Sequence, residues 1–421
     1  MIIEIELGVL TLDVEEFSLP EIEIKLDEAM KAKQRQAFVD CLRKKDVLNE
    51  DTRTCPACGR KMKSHGFVIR KLGTLVGSVQ IPRRRLKCPN CGLDHYVLDE
   101  LIGKGKHTMP TIEKALYLAT EISYHKTSIA LKKLCGSEIS HGQIQAMAKK
   151  EGAFVGQELK KAADDLFGLG LDPGELVTRT KDDTLVIAID GGNIPDRLTK
   201  NDFEAKVGVI YGIKAQVSKN RISLVDRVAY ASLEDSFKFG QRLFCLARRH
   251  GVLSAGRILA IGDGAAWIRS LVKDFFPSAI YLLDLYHLKK RISTVLNADE
   301  DEYMKNAVIG VCQRGRPDEA LILLNRRQVS TKEQAEQLRK LKGYIKSNRI
   351  GIANYAHSDL FGSGAVEKAV DLLVSRRFKN RGMSWLKPGA GGMLALRLLR
   401  FNSEWDSHWN WRMKMMLEAT T

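Results

Sequence analysis

Apolar runs rich in Val, Ile and Leu, most of them followed by amphipathic stretches, dominate the second half of this 421-residue chain. Residues 185–189, 205–213 and 222–229 read as successive strands, and residues 235–250 as a helix with apolar positions at helical spacing. A strand at 258–261, a helix at 265–275 and a strand at 279–283 complete the series. Further upstream, 66–70 and 79–83 read as the two strands of a hairpin. Residues 108–165 are helical in pattern: one helix opens near Pro110, a second piece from Thr127 stops at Gly136, and a third starts after Ser140. Two short helices parted by a Gly-containing turn are the pattern of a helix-turn-helix, and equally of a plain packing pair.

Acidic residues close two of these runs. Asp190 follows Ile189 and precedes Gly191-Gly192, while Asp263 follows Gly262 and precedes Gly264. A buried strand that stops at an Asp presents a carboxylate at its exposed end. Glu367 lies far downstream in Ser363-Gly364-Ala365-Val366-Glu367, at the start of a basic helical stretch. Two strand-borne Asp residues and a helix-borne Glu can hold two Mg²⁺ or Mn²⁺ ions about 3.5–4 Å apart, the arrangement used for in-line phosphoryl displacement. A solitary Asp at a strand end is ordinarily a turn residue; here two fall in fold order with a matching Glu. Asp371, four residues after Glu367, shares its helix face and is the substitute acid. Asp284 and His287, three apart after the strand at 279–283, also share a face. Their plain alternative is a capping Asp and a structural His.

Cysteine spacing carries a second signal. Cys55-x-x-Cys58 and Cys88-x-x-Cys91 are separated by 29 residues, and each pair is followed by Gly. Four thiolates make a closed tetrahedral site for one structural Zn²⁺, a zinc ribbon around the predicted hairpin. His65 and His95 lie close by as less suited ligands. The run Arg83-Arg84-Arg85-Leu86-Lys87 gives the ribbon a phosphate-binding edge.

The net charge of +16 favours a polyanionic partner. Its distribution is uneven: residues 1–30 carry nine acidic side chains against Lys25, and residues 53–106 carry twelve Lys/Arg against three acids. That contrast predicts an acidic arm and a basic binding module. No apolar run reaches about 18 residues, so no membrane span is expected, and the start of the chain lacks the pattern of a signal peptide. Cysteines arranged as metal pairs fit a reducing, cytoplasmic setting near the nucleoid. No Gly-rich phosphate loop occurs, so no ATP requirement is expected.

The order of strands and helices from 183 onward is that of a ribonuclease H-like domain. Over roughly residues 50–400 the chain resembles DDE transposases of the prokaryotic insertion-sequence group related to Mutator-like elements. The resemblance rests on the four-cysteine ribbon, Ile189-Asp190-Gly191, Gly262-Asp263-Gly264-Ala265, Asp284-Leu285-Tyr286-His287 and the block ending at Glu367. Arg376-Arg377-Phe378-Lys379 and Arg381-Gly382-Met383-Ser384-Trp385 match in kind. It implies Asp190, Asp263 and Glu367 as the metal-binding catalytic triad. It also implies that Asp284 and His287 lie beside the active site, where His287 meets the scissile phosphate or leaving-group oxygen. Arg376, Arg377, Lys379 and Arg381 would grip flanking phosphates, and Trp385 would stack on an unpaired base or pack in the core.

The expected organisation is a multidomain α/β chain. It comprises an acidic arm (1–50), the zinc ribbon (51–103), a helical DNA-binding segment (104–180), the first part of the core (181–296), a helical insertion (297–360) and the Glu-bearing remainder (361–421). The expected activity is metal-dependent cleavage at element ends and strand transfer into target DNA, by at least a homodimer on double-stranded DNA. The alternatives are a ribonuclease H-like cellular nuclease, or a domesticated regulator that binds DNA without cutting it.

Overall fold

The computed structural model describes residues 17–48, 54–103, 105–199, 201–212, 214–218, 221–224, 226–297, 302–357, 364–379 and 382–418. The chain is a mixed α/β protein that divides into two units, Met1–Ala148 with Trp405–Thr421, and Lys149–Glu404. Among the described residues no helix is long and apolar enough to cross a membrane.

In the first unit, α1 (Leu19–Leu48) precedes a long hairpin of β1 (Lys63–Thr74) and β2 (Gly77–Lys87), followed by β3 (Asp94–His95) and α2 (Val97–Ile102). The hairpin turns tightly, because Gly77 takes φ 105° and Thr74 Oγ1 donates to the Gly77 carbonyl at 2.7 Å. Leu72 pairs with Val79, and together with Ile81 they meet Val39, Leu42 and Leu98 in one core cluster. Residues 1–50 were expected to form an acidic arm; their described part is a helix that sends Val39 and Leu42 into the core. The reason is local: Val39 and Leu42 are apolar at i, i+3 spacing, and burying each contributes about 1.5–3 kcal/mol.

Helices α3 (Met109–Ala119), α4 (Tyr124–Cys135) and α5 (His141–Leu169) follow. Ser123 caps α4 by accepting from the Lys126 N–H at 3.2 Å, and Gly136 ends it in the left-handed conformation. Ser140 and Gln143 exchange side-chain and backbone hydrogen bonds at the start of α5. The closing helix, Trp405–Glu418, groups with this unit and not with the core to which the range 361–421 assigned it. Trp405 decides this: its Nε1–H donates to Glu113 at 2.7 Å, and its ring meets Tyr117 edge-on at 5.5 Å.

The second unit is built on a five-stranded sheet of β4 (Thr184–Pro195), β5 (Asp202–Tyr211), β8 (Arg227–Ser232), β9 (Arg257–Gly262) and β10 (Ile280–Leu283), in the order β10-β9-β4-β5-β8. A separate small hairpin, β6 (Lys214–Ser218) with β7 (Arg221–Leu224), precedes β8. The single strand expected at 222–229 is therefore two strands in two sheets. The ladders β4–β5 and β5–β8 are antiparallel, whereas β9 runs parallel to β4 and β10 parallel to β9. Leu185 to Ile189 are all buried, as a central strand requires.

Strand alternation distributes the helices. Gly208 would place a Cβ 2.6 Å from Leu243 on α6 (Ser236–Arg249), and Gly262 would place one 2.6 Å from Ile268 on α7 (Ala266–Phe275). Gly208 and Gly262 both pair with Ile189, so α6 and α7 cover one face of the sheet. Gly192, three residues further along β4, points the other way. There a Cβ would lie 3.1 Å from Val370 and Val374 of the downstream helix. That helix comprises Gly364–Val370, a π turn at Asp371–Ser375 and a last turn at Arg376–Phe378.

Between β10 and that helix stand α8 (Leu285–Val295), α9 (Glu302–Gln313), α10 (Pro317–Asn325), α11 (Lys332–Ser347) and α12 (Arg349–Ala353). Tyr344 of α11 donates its O–H to the Asp263 carbonyl at 2.7 Å, and Asn348 accepts from Arg269 at 2.9 Å. Asn354 donates to the Tyr281 carbonyl at 2.8 Å, and Tyr355 donates to that of Leu283. The inserted helices are thus tied to the carboxyl ends of β9 and β10.

Candidate functional site

Register brings three aspartates level. Ile189 of β4 pairs with Gly262 of β9, and Gly262 pairs with Leu283 of β10. The next residue on each strand is Asp190, Asp263 and Asp284. Asp190 does not end its strand, as the apolar run suggested. It sits where the parallel ladder with β9 stops, while β4 continues to Pro195 on its antiparallel pairing with β5. Asp190 and Gly192 are two residues apart and share a face, so the carboxylate lies on the side covered by the helix that bears Glu367.

Each aspartate is held by one nearby backbone amide. The N–H groups of Gly191, Ala265 and Tyr286 donate to Oδ1 of Asp190, Asp263 and Asp284 at 2.7, 2.8 and 2.7 Å. Asp284 is therefore a helix cap, at the start of α8, but with only one of its oxygens. Its Oδ2 lies 3.3 Å from Nδ1 of His287, outside hydrogen-bond geometry, and both atoms are buried without a hydrogen-bond partner. Glu367 joins them: Asp284, His287 and Glu367 offer ligand atoms that all lie within 4.8 Å of one another.

The electrostatics couple this cluster to the other two acids. Burial, with a contribution from the charge of Asp263, pushes the Asp190 carboxyl up to about 6, against the Gly191 N–H. The Asp284 contact raises the His287 pKa against the opposing effect of burial, and the charges of Asp190 and Asp263 add to it. Three aspartates and one imidazole therefore act on one another electrostatically, and Glu367 joins Asp284 and His287 by geometry. Asp371 is diverted: it pairs with Arg376 at 2.9 Å, five residues on across the π turn, and with Lys368 at 3.5 Å.

Sequence reasoning did not find the basic face beside His287. His287, Lys290, Arg291 and Thr294 follow i, i+3, i+4, i+7 along α8 and line a cavity of about 430 Å³ closed by Gln337, Lys340 and Leu341 of α11. The helical spacing of the cations was legible, but nothing in the sequence pairs α8 with α11. Tyr344 and Asn348 were also missed, since no motif marks a hydroxyl that donates to a backbone carbonyl 81 residues away or an amide that accepts from an arginine 79 residues away.

Two expected nucleic-acid contacts downstream face inward. Arg377 is 1% exposed and stacks over Trp385, itself 8% exposed, at 4.8 Å. Trp385 also meets Phe378 at 4.8 Å and exchanges backbone hydrogen bonds with Pro195 and Arg197. Both side chains are core, which corrects their assignment to DNA contact; the Arg377 guanidinium stacks on Trp385 and donates to the Met383 sulfur at 3.4 Å. Arg376 and Lys379 are exposed, and Arg381 lies outside the described residues.

The four cysteines converge in the first unit. Sγ–Sγ separations are 3.5 Å for Cys55–Cys91, 3.5 Å for Cys58–Cys88 and 3.8 Å for Cys58–Cys91. Thiolates about 2.3 Å from a tetrahedral ion would stand about 3.8 Å apart, so the cluster fits a metal such as Zn²⁺. The two knuckles repeat one geometry: Gly59 N–H donates to the Cys55 carbonyl and Gly92 N–H to that of Cys88, at φ 68° and 74°.

The adjoining basic strand is largely committed within the fold. Arg83 pairs with Asp99 at 2.5 Å and lies over Tyr96, while Arg85 makes two hydrogen bonds to Asp94. Arg84 stands over Phe67, and Lys87 is exposed. Four free phosphate contacts were expected here. Acidic residues nine and sixteen positions away, brought back by β3 and α2, claim two of them.

A curated relative from Streptococcus gallolyticus, the "UPF0236 protein in vanSb 3'region", is 24% identical over 353 residues, covering 81% of this chain and 74% of the relative. A family model described as an uncharacterised protein family, UPF0236, matches residues 12–414. By that match over nearly its whole length, the chain belongs to the uncharacterised protein family UPF0236.

Proposed function

We propose that this chain is a DDE transposase, which cuts DNA at element ends and joins the liberated 3′-OH to target DNA. The observation that carries the reading is the level placement of Asp190 and Asp263 on neighbouring parallel strands, faced by the helix that bears Glu367. The strand order β10-β9-β4-β5-β8, with three antiparallel strands before two parallel ones, supports a ribonuclease H-like core. The excess of basic charge supports a DNA partner.

Asp190, Asp263 and Glu367 are the residues that would hold two Mg²⁺ or Mn²⁺ ions, and their hard oxygen donors suit such ions. Bound there, divalent ions supply Lewis acidity at the scissile phosphate and a nucleophilic water or 3′-OH. Within the chain, the Gly191 and Ala265 amides fix one oxygen of each Asp, so the carboxylates are oriented before substrate arrives. His287 lies beside them with Asp284 against its ring. Lys379 is an exposed cation past Glu367 suited to a flanking phosphate, whereas the exposed Arg376 is paired with Asp371. In the ribbon, one Zn²⁺ held by Cys55, Cys58, Cys88 and Cys91 would be structural, since four thiolates leave no open position.

The test is a joint-formation assay on DNA spanning the ends of the element that encodes the chain, with Mg²⁺ or Mn²⁺. Joints made by the wild type and lost in Asp190→Ala, Asp263→Ala and Glu367→Ala are the expected result. Cleavage without joints would replace the reading with a nuclease. Tight end binding without cleavage would replace it with a DNA-binding regulator.

A further inference from the structure

We propose that Asp284, His287 and Glu367 form a mixed nitrogen–oxygen site for a divalent first-row transition ion, so that His287 sets which ion the centre takes. This deepens the metal-dependent reading above and rests on it, since Glu367 is shared between the two ligand sets.

Three observations carry it. The ligand atoms of the three residues lie within 4.8 Å of one another, close enough to share one ion. Asp284 is 0% exposed, and its Oδ2 and the His287 Nδ1 are both buried without a hydrogen-bond partner. At 3.3 Å those two atoms are near neighbours that fail to align with each other. Two donors that each ligate a third atom at about 2.1 Å stand roughly 3.0–3.4 Å apart for bond angles between a right angle and the tetrahedral angle. That is the spacing seen, and an ion between them would satisfy both.

The rest of the surroundings agree. Asp284 is pinned by the Tyr286 amide through Oδ1, which leaves Oδ2 directed at the cluster. Register fixes its height, because Asp284 follows Leu283, paired with Gly262, and its N–H donates to the Gly262 carbonyl at 2.8 Å. His287 also lines the cavity between α8 and α11, which gives an ion a route inward. Imidazole discriminates among divalent ions: a purely carboxylate site accepts Mg²⁺, whereas one nitrogen ligand favours first-row transition ions over Mg²⁺, Zn²⁺ more strongly than Mn²⁺.

The experiment measures Mn²⁺ binding to the full chain, with Zn²⁺ kept in the cysteine site and no DNA present. Electron paramagnetic resonance would report both affinity and any magnetic coupling of Mn²⁺ to a nitrogen nucleus. The expected result is a nitrogen coupling that changes when the protein is labelled with ¹⁵N-histidine and disappears in His287→Gln. In the same variant the preference for Mn²⁺ over Mg²⁺ should fall by about tenfold or more. The labelled wild type needs no substitution, so a misfolded variant leaves the inference testable. Mn²⁺ bound with oxygen coupling alone would overturn it. Nitrogen coupling without any DNA joints would uphold this site and sink the transposase reading. Joints with Mg²⁺ but no nitrogen coupling would do the reverse.

Discussion

Asp190, within β4, and Asp263, just past β9, stand at the same height, each one residue beyond the pair Ile189–Gly262. Such closeness costs free energy. Burial and the Asp263 charge hold the Asp190 carboxyl up to about 6, against its ordinary 3.8.

That cost sets a pH dependence. A carboxyl whose folded pKa is raised stabilises the fold fully below its unfolded pKa, and the contribution is lost as pH rises through about 6. The loss amounts to about 3 kcal/mol. In metal-free protein, Asp190→Asn should therefore be more stable than wild type at pH 7.5; the gap should narrow by about two-thirds at pH 4.5 and close only below the unfolded value of 3.8. Urea unfolding of both proteins across that range checks it; a gap independent of pH would mean that Asp190 is not strained. The raised pKa of His287 acts in the same sense, and stability falls again as pH passes above its folded value.

Gly192 tests the packing of the Glu-bearing helix. A Cβ there would lie 3.1 Å from Val370 and Val374, so Gly192→Val must push that helix outward. The cost should be about 1–3 kcal/mol. DNA joint formation should fall much further than DNA affinity, because Glu367 is displaced while the basic surfaces stay in place. Gel-shift and joining assays on one preparation would separate the two effects.

The cysteine site predicts one tightly held Zn²⁺ per chain by elemental analysis. Cys58→Ser should lose the ion and open residues 54–95 to proteolysis, since site binding and local folding are one equilibrium. Zinc retained at full stoichiometry in that variant would refute the assignment.

Neighbouring arginines should behave differently. Arg83 is committed to Asp99, and both side chains are under a fifth exposed. Arg83→Ala should cost about 1–2 kcal/mol of stability, the loss of one charge-assisted hydrogen bond discounted for residual exposure, because Asp99 keeps Arg70 as a partner. Lys87→Ala and Arg291→Ala should leave stability nearly unchanged and each reduce the salt slope of DNA binding by about 1. Affinity measured at several salt concentrations distinguishes the groups.

Much of this was legible in the chain. The β-branched runs ending at Asp190 and Asp263, the Gly residues after each cysteine pair and the cap at Ser140 are local features, and local sterics and hydrogen bonding determine them. The spacing of Cys55, Cys58, Cys88 and Cys91 was equally sufficient, because a Cys-x-x-Cys turn brings its own two sulfurs together. Tertiary structure alone decided which polar groups meet. Whether Arg83 faces phosphate or Asp99 depends on where α2 folds back. Whether Arg377 and Trp385 face solvent or each other depends on the bridge between Trp385 and Asp196. That Asp284 stands level with Asp190 and Asp263 follows from strand register, which is set by the hydrogen-bond ladders of three strands distant in sequence. A sequence names the donors; only the pairing of strands across the sheet places them around one point.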